Sequence, residues 1–448
     1  GLFRVMNRFY FTNVKKYMVH YSVTANNKVV RSGKVSLDIE PQASKEFTVP
    51  VGNLKPQAGT EYFVNFNVTT VEKEPLIPIG HEIACDQFRL PIESPKKAFK
   101  TSGPKLTVST NGDNLSASSS KVNFVFNRKT GIVTSYKVDG TEYFSEGFGI
   151  QPNFWRAPTD NDYGNGMPKR LQVWKESSKN FNVTDATVTM DGNNAVVNVN
   201  YLLPAGNLYI VNYTIYPSGA VNVAARFTST DMDAAQTEVS EATRTATFTP
   251  GRDAARKEAS KLNVPRIGVR FRLPASMNQV EYFGRGPAEN YLDRNAGSMI
   301  GLYKSTAEEL YFPYVRPQEN GHHTDTRWVS LSTGKKGLLI QADNTIGFNA
   351  LRNSIEDFDD EEATGLPRQW SNFTPEQVAN HDEAAAKSVL RRQHHINDIT
   401  PRDFVEVCVD LKQQGVAGYD SWGSRPEPAY TLPANREYNW GFTLIPLK

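Results

Sequence analysis

The sequence predicts an all-β protein. Three observations indicate this fold class: short segments of alternating apolar and polar residues recur along the chain, turn-forming residues separate them, and few stretches have helical spacing. The chain has 448 residues. Because a typical domain has roughly 100–200 residues, we expect about two or three domains, each burying its own core.

The first domain is predicted over residues 1–92. Turn formers such as Asn26-Asn27 and Ala58-Gly59 separate its β-rich segments. These segments cover residues 17–23, 34–39, 46–49 and 62–68. Several short strands at regular spacing are typical of an immunoglobulin-like β-sandwich. Residues 93–105 are polar, contain two prolines and lack periodicity, which predicts a linker.

The second domain is predicted over residues 106–448 as one long β-rich unit. It opens with strand-like segments at 121–126 and 132–138, joined by a turn at 127–131. Two helices are expected, a short one at 170–176 and one that begins at Thr374, where Thr and the following Pro suit a helix N-terminus. Residues 231–263 break the alternation and predict an insertion or loop.

Charge and hydropathy exclude several kinds of partner. The 50 basic and 48 acidic side chains leave a net charge of +2, and no run of five like charges occurs. We therefore expect neither a nucleic-acid partner nor a membrane-surface partner. The longest apolar runs, such as residues 337–340, are far shorter than the ~20 residues that span a bilayer, which predicts a soluble chain.

The two cysteines and the N-terminus carry little functional information. Cys85 and Cys408 give neither a metal-ligand spacing nor a disulfide framework, and we expect both to be buried thiols in strands of different domains. The chain begins with Gly1 and lacks the features of a signal peptide. We expect a cut end, so the compartment cannot be predicted from this terminus.

The first of four candidate motifs covers residues 153–162. Its closely spaced acids raise the question of calcium, but an EF-hand that starts at Asp160 would need Glu at position twelve, where Leu171 stands. A polar loop held by Asx hydrogen bonds and an Arg–carboxylate pair is the better interpretation.

The second motif covers residues 280–294. Its Gly-Arg-Gly is not a dinucleotide-binding fingerprint, because proline follows at once and the third glycine is missing. Glu289 and Asp293 could be considered a general acid/base pair. However, the neighbouring Arg285 and Arg294 should lower the pKa of these carboxyls, which favours a salt-bridged structural loop.

The third motif, residues 314–328, contains His322 and His323. Adjacent side chains on a strand point to opposite faces, so the two histidines would not reach one metal ion, and no metal site is predicted. A carbohydrate-facing surface is the alternative, because Glu319, Asn320 and the histidines offer the amide, carboxylate and ring groups that hydroxyl-rich ligands need.

The fourth motif, residues 407–422, ends a strand in a glycine-rich turn and places Trp422 in a loop. An exposed indole can stack on the apolar face of a sugar ring. The alternative is an edge tryptophan that packs on a neighbouring strand, and the residues alone do not decide between the two.

Taken in order, these motifs resemble the last domain of β-galactosidases of glycoside hydrolase family 2. The matching stretches are FWRAPTDND at 154–162, YFGRGPAENYLDR at 282–294, PYVRPQENG at 313–321 and DSW at 420–422. The stretch VMNRFYFTN at 5–13 resembles the start of the sandwich domain that follows the catalytic barrel. Two features depart from the family: Ala417 stands where many members have glycine, and the segment 231–263 has no counterpart.

The resemblance implies a large galactose-mutarotase-like β-supersandwich over residues 106–448, behind the immunoglobulin-like domain. It implies hydrolysis of terminal β-D-galactosides such as lactose with retention, by two glutamates on a (β/α)8 barrel. That barrel would lie upstream of Gly1, so this chain is predicted to be inactive alone and to contain no catalytic residue. The Mg and Na ions that family members often use would also lie in the barrel, and no cofactor is expected in this chain.

The same resemblance names site residues and partners. Trp422 corresponds to a tryptophan that forms a substrate platform on the aglycone side, and Asp420 and Ser421 precede it in the motif. Glu319, Asn320, His322 and His323 are further candidates for substrate binding. The expected partners are a β-galactoside or galactose, the upstream barrel and, for the full-length enzyme, further copies of itself. The bacterial cytoplasm and the periplasm both stay open as compartments.

Three other interpretations are considered. Some bacteria split this enzyme into two chains, although the leading sandwich domain favours a cut fragment. A free-standing carbohydrate-binding module would use Trp422 and Trp328 as stacking platforms. An aldose epimerase would pair His322 or His323 with Glu289, and analogy of fold alone supports it.

Overall fold

The computed structural model describes residues 1–229, 262–359, 395–420 and 423–448. Within these ranges nearly all regular structure is β, which confirms the predicted all-β fold class. The predicted helix at Thr374 and the predicted insertion, apart from Leu262 and Asn263, lie outside the described residues. No helix in the described ranges has the length and apolarity needed to span a membrane.

The strands, in chain order, are β1 Leu2–Met6, β2 Tyr17–Ala25, β3 Lys28–Val35, β4 Ser44–Thr48, β5 Tyr62–Thr70, β6 Glu82–Arg89, β7 Thr107–Asn111, β8 Asn114–Ser118, β9 Val122–Asn127, β10 Ile132–Val138, β11 Thr141–Glu142, β12 Gln151–Asn153, β13 Asn182–Asp191, β14 Asn194–Leu202, β15 Asn207–Ile215, β16 Val221–Ser229, β17 Arg266–Pro274, β18 Gln279–Gly286, β19 Met299–Thr306, β20 His323–Ser332, β21 Gly337–Leu351, β22 Phe404–Gln413 and β23 Tyr438–Leu447. The α-helices are α1 Asp160–Gly164, α2 Met167–Arg170, α3 Gln172–Lys179 and α4 Ile355–Phe358. Short 3₁₀ turns cover Val14–Lys16, Ser145–Gly147, Ile396–Asp398 and Pro428–Tyr430.

The chain forms two compact units. Unit 1 contains Gly1–Phe99 together with Ala296–Leu302. Its strands make a four-stranded sheet in the order β3-β2-β5-β6 and a two-stranded sheet of β1 and β4. On β5, the buried Val64 and Phe66 alternate with the less buried Asn65 and Asn67, and Val64 packs with the fully buried Val23 of β2 in the core of this unit. This alternation is the pattern of a sandwich core.

Unit 2 contains Lys100–Asn295 and Tyr303–Lys448. Its large sheet follows the path β12-β17-β22-β21-β23-β16-β15-β14-β13, and β20 joins β18 to β21 beside this path. A smaller sheet has the order β11-β10-β9-β8-β7. The pairing between neighbouring strands of the large sheet is antiparallel.

The core of unit 2 lies between its two sheets. Every second residue of β9 is buried, and the ring of Phe124 lies 5.6 Å from that of Tyr213 on β15. On the neighbouring β10, the Tyr136 hydroxyl donates to the carbonyl oxygen of Gly219 at 2.6 Å. The smaller sheet therefore packs its apolar face on the large sheet, and the buried Tyr136 hydroxyl has a hydrogen-bond acceptor there.

Local turn chemistry agrees with the sequence at several points. The Asn127 side chain accepts hydrogen bonds from the N–H groups of Lys129 and Thr130 at 3.0 and 2.9 Å, which forms the predicted turn between β9 and β10. The helix predicted at 170–176 is present as the end of α2 followed by α3.

The prediction of two buried thiols is correct for Cys408 and wrong for Cys85. Cys85 lies on β6, the last strand of its sheet, where seven of the eight residues are exposed. Alternation within a strand does not reveal whether a second sheet covers it, so the exposure of β6 could not be predicted from its residues.

Replacing Phe124 with Ala should destabilise unit 2 by about 3–5 kcal/mol, because a fully buried ring is removed from between two sheets. All six tryptophans lie within the residue range of unit 2, so tryptophan fluorescence during chemical denaturation follows this unit. Phe312→Ala is the matched control, since Phe312 is 50% exposed and its loss should cost less than about 1 kcal/mol. Equal losses for the two variants would contradict the assigned core.

Candidate functional site

All four motifs lie at one edge of the large sheet of unit 2. Strand β17 pairs antiparallel with both β12 and β22, so β12 and β22 run in the same direction and end at the same edge. The first motif starts at the last residue of β12, and the fourth covers most of β22 and the residues after it. The third motif precedes β20, whose first residue His323 aligns with Phe348 on β21, and Phe348 aligns with Val409 on β22. The sheet topology therefore brings distant motifs together.

After β22, the described residues 415–420, 423 and 424 lie at this edge on either side of the end of the fourth motif, and this segment is here called the 415–424 loop. Ser421 and Trp422 lie outside the described residues, so their predicted contacts are not described. Asp420 is exposed at the end of the described part. The residues on either side show how the loop is held.

A buried ion pair lies under the start of this loop. The Arg156 guanidinium donates to the Asp162 carboxylate from Nε and Nη2 at 3.1 and 3.0 Å, and both side chains are at most 1% exposed. Its other three bonds go to Gln413 Oε1 and to the carbonyl oxygens of Gln414 and Gly415, at 3.2, 2.7 and 3.1 Å. All five N–H donors of the arginine are used. The predicted Arg–carboxylate pair is confirmed.

The first motif also holds both ends of the 415–424 loop. Its acids open the short helix α1, where Thr159 and Asp162 cap each other, instead of the irregular loop that was predicted. From α1, the Asn161 amide donates to the carbonyl oxygens of Val416 and Ser424 at 3.2 and 2.7 Å. One side chain thus fixes the distance between the two ends of the loop.

Close packing against α1 requires glycine at the far end of the loop. Gly423 has a φ of +79°, and a Cβ there would lie 2.6 Å from the carbonyl carbon of Gly164. No larger side chain fits without moving one of the two backbones. The loop therefore closes directly on the end of α1.

The second motif contributes Asp293 to the same loop. Its carboxylate accepts hydrogen bonds from the N–H groups of Val416 and Ala417 at 3.0 and 2.8 Å. Ala417 has a φ of +54°, a left-handed conformation that costs an alanine about 1–2 kcal/mol. The two charge-assisted bonds offset this cost and hold the turn. Sequence reasoning named Asp293 as an acid but gave no signal for its partners.

The prediction that Arg285 and Arg294 lower the carboxyl pKa values of the second motif is wrong for Glu289. Arg285 pairs with Asp325 at 2.6 Å, not with Glu289. Glu289 instead accepts hydrogen bonds from the Tyr314 hydroxyl and from the Gly321 N–H group. Burial raises the pKa of Glu289 above its usual range, although those two bonds and Arg294 act in the opposite direction. The carboxyl is held in place by neutral donors rather than by a salt bridge.

The third motif contacts the first at the surface. Gln318 and Asp160 form two reciprocal hydrogen bonds of 3.1 Å each. The Arg316 guanidinium lies 3.8 Å from the centre of the Tyr163 ring, a cation–π contact. Helix α1 is therefore bound on one side by the third motif and on the other by the 415–424 loop.

The predicted residues Glu319, Asn320, His322 and His323 lie beneath this surface, and none is more than 5% exposed. Glu319 accepts from Arg266, Asn349 and Gln413 at 3.1, 2.9 and 3.0 Å. A cavity of about 20 Å³ beside Glu319 and Asn320 has room for about one water molecule. Direct contact between these four residues and a sugar stays a prediction.

Burial lowers the pKa of both histidines. The Asn349 amide nitrogen donates to Glu319, so its oxygen must accept, and His322 Nδ1, 2.9 Å away, carries the proton. Burial, followed by the Arg266 guanidinium, lowers the pKa of His322 to about 3. His323 has a backbone carbonyl oxygen beside each ring nitrogen, at 3.1 and 3.2 Å, and burial lowers its pKa as well.

Asp410 is the buried acid of this network. It is fully buried, and its carboxylate lies 3.2 Å from Arg266 Nε. Burial raises the pKa of Asp410 to about 7, and the attraction of Arg266 only partly opposes this rise. Across the described ranges, no group of three or more His, Cys, Asp or Glu side chains could hold a metal ion.

Comparison with known proteins gives two family matches. The family described as "Beta galactosidase small chain" matches residues 118–444, and "Beta-galactosidase, domain 4" matches residues 3–91. Similar curated proteins include the β-galactosidase of Priestia megaterium, 30% identical over 100% of this chain and 38% of its own length. The β-galactosidase of Streptococcus thermophilus is 24% identical over 98% of this chain and 36% of its own length. The chain thus spans 36–38% of the length of these two relatives.

Solved structures similar to the chain include two proteins described as epimerases. A putative aldose 1-epimerase from Escherichia coli is 8% identical with a TM-score of 0.34, and the alignment covers 77% of this chain and 99% of that one. A galactose 1-epimerase from Lactobacillus acidophilus is 7% identical with a TM-score of 0.37, and covers 77% and 98%. With TM-scores below 0.5, these similarities identify neither fold nor activity.

Replacing Asp293 with Asn should loosen the 415–424 loop, because an amide offers one acceptor oxygen where the carboxylate offers two. We expect the amide hydrogens of Val416 and Ala417 to exchange about tenfold faster or more, measured by hydrogen–deuterium exchange. Asp325→Asn is the matched control, since Asp325 binds Arg285 and not this loop. Unchanged exchange in Asp293→Asn would show that other bonds hold the turn.

Stability of unit 2 should depend on pH through Asp410. The folded chain keeps this proton up to about pH 7, whereas an unfolded Asp loses it near ~3.9, so the folded state binds more protons between these values. The free energy of unfolding should therefore fall as pH rises from about 4 to about 7, by up to ~1.4 kcal/mol per pH unit.

The Asp410→Asn variant should flatten this profile when unfolding is followed by tryptophan fluorescence. Asp185→Asn, at an exposed position, should keep the wild-type slope. A wild-type profile in Asp410→Asn would mean that another group is responsible.

Proposed function

The chain belongs to the β-galactosidase family, and we propose that it is the non-catalytic part of an enzyme that hydrolyses terminal β-D-galactosides such as lactose. It matches the family's domain 4 and small chain, which correspond to the C-terminal part of these enzymes. The relatives are β-galactosidases of more than twice the matched length. We place the two glutamates of a retaining mechanism in the remaining part, on a catalytic barrel.

The convergence of the four motifs on the 415–424 loop carries this proposal. Arg156, Asn161 and Asp293 hold the loop on its near side and at its two ends. Loop ends held in this way are what a binding platform needs from the surrounding protein. The middle of this loop contains Ser421 and Trp422.

Trp422 acts in this proposal as a platform on the aglycone side of the substrate. An indole ring stacks on the apolar face of a pyranose and buries area at little entropic cost. Asp420 and Ser421, which precede Trp422 in the motif, are proposed as further substrate-binding residues. Such stacking is similar in the ground state and the transition state, so it strengthens binding more than it speeds the chemical step.

Glu319, Asn320, His322 and His323 have an indirect role in this proposal. Glu319 binds Gln413, and Gln413 binds Arg156, which in turn holds the start of the loop. Burial lowers the pKa of both histidines, and the cavity beside Glu319 and Asn320 has room for about one water molecule. These residues therefore support the start of the loop. Assembly of the full-length enzyme into a homo-oligomer is a separate proposal.

In a protein that joins this chain to the unmatched part of the Priestia megaterium relative, Trp422→Ala should raise KM for o-nitrophenyl β-galactoside about tenfold. It should change kcat by less than about threefold, because the lost stacking is uniform binding. Trp328→Ala, on strand β20 and half-buried, is the control and should leave KM within about twofold. A KM unchanged by Trp422→Ala would count against the platform.

The 448-residue chain alone should not hydrolyse o-nitrophenyl β-galactoside. Three assays on the isolated chain separate the alternatives: hydrolysis, anomerisation of galactose, and binding of galactose or lactose. Hydrolysis would overturn the non-catalytic assignment. Anomerisation would support an epimerase, and tight sugar binding without hydrolysis would support a free-standing binding module.

A further inference from the structure

The two sheets of unit 1 are unequal, and this leaves one of them partly uncovered. The larger sheet has four strands and the smaller has only β1 and β4. On β1, the Phe3 ring lies 4.9 Å from Phe66 on β5 and 5.5 Å from Phe88 on β6. Phe47 on β4 contacts Phe66. Strand β1 therefore lies on the β6 side of the small sheet, and nothing in unit 1 covers the region beyond it.

An apolar groove fills this uncovered region. It has a volume of about 960 Å³, and residues of β1 and β6 line much of it. On β6, Ala84, Asp86 and Phe88 stand opposite Val68, Phe66 and Val64 of β5 and so share the inner face of the sheet. Val64 is fully buried, yet Phe88 on the same face is 44% exposed. The inner face is thus buried under β1 and β4 and open at β6.

Strand β1 also presents an unpaired backbone edge to the groove. Gly1 and Val49 exchange two hydrogen bonds, at 2.6 and 2.9 Å, and the Asn7 N–H group donates to the Ala43 carbonyl oxygen at 2.9 Å. In an antiparallel pair, alternate residues point their N–H and C=O groups away from the partner. The outward groups are those of Leu2, Arg4 and Met6, and no described residue bonds to them.

We propose that an extended segment of another part of the longer β-galactosidase adds a strand to the edge of β1 and covers the inner face of β6. This inference rests on the proposed function, which places a catalytic part outside this chain. Pairing with the five residues of β1 needs a segment about 17 Å long. Alternate side chains of that segment are apolar, and one hydrogen-bond donor or cation faces the carboxylate of Asp86.

The source of the strand follows from the length of the relatives and from charge. The chain spans 36–38% of two relatives, so most of their polypeptide is available to fill the groove. A second copy of this chain is a poor occupant, because symmetric antiparallel pairing of two β1 strands places Arg4 directly opposite Arg4 of the other copy. Like charges directly opposite each other are destabilising.

The test uses the unmatched part of the Priestia megaterium β-galactosidase as a separate polypeptide. The 448-residue chain should bind it in calorimetric titration, and binding should slow hydrogen exchange at the amides of Leu2, Arg4 and Met6. Amides of β3, the other edge strand of the larger sheet, should exchange as before.

Matched variants connect the binding to the groove. Ala84→Arg, which places a cation on the exposed inner face of β6, should weaken binding at least tenfold. Val29→Arg places the same charge on β3, where Val29 is 55% exposed, and should change binding less than twofold.

Every other outcome overturns the inference. Binding that Ala84→Arg leaves intact, with no protection of the β1 amides, would place the contact elsewhere while the proposed function stands. Protection of these amides by self-association of the chain alone would assign the edge to a second copy. Absence of binding also overturns the proposed strand addition. The proposed function is tested separately, by whether the protein that joins this chain to the unmatched part of the Priestia megaterium relative hydrolyses o-nitrophenyl β-galactoside.

Discussion

The buried ion pair of Arg156 and Asp162 is the interaction on which the candidate site depends. A guanidinium taken out of water is stable only if all its donors find acceptors, and here two carboxylate oxygens, one amide oxygen and two carbonyl oxygens fulfil this condition. One carbonyl group belongs to Gln414, which directly precedes the 415–424 loop, and the other to Gly415, the first residue of the loop. The position of the loop is therefore coupled to the stability of a buried charge, and the loop cannot move away at low cost.

Sheet topology explains why this coupling joins residues more than 250 positions apart. Strands β12 and β22 flank β17 and end at one edge. The residues that follow these two strands therefore lie close together. The sequence allowed the fold class, the turn after β9 and the Arg–carboxylate pair to be predicted, because each depends on residues close together in the chain. The partners of Asp293 depend on long-range register, and no local pattern encodes them.

Two predictions failed for the same physical reason. Arg285 was expected beside Glu289 because the two are near in sequence, yet Arg285 pairs with Asp325 on a neighbouring strand. Cys85 was expected to be a buried thiol, yet it stands opposite Asn67 on the outer face of β6, away from the small sheet. In both cases the strand could be predicted from the sequence, but the residues that stand beside or opposite the side chain in the folded protein could not.

The ionisable groups at this edge are arranged to hold position rather than to transfer protons. A general acid or base needs a pKa near the working pH and access to the substrate. His322 has its pKa lowered to about 3, His323 has a carbonyl oxygen beside each ring nitrogen, and Asp410 is fully buried. Groups that face solvent near the loop include Asp160, Arg316, Tyr419 and Asp420. Charge, hydroxyl and ring surface of this kind can orient a ligand, while the chemistry in the proposed enzyme comes from carboxylates on another part of the protein.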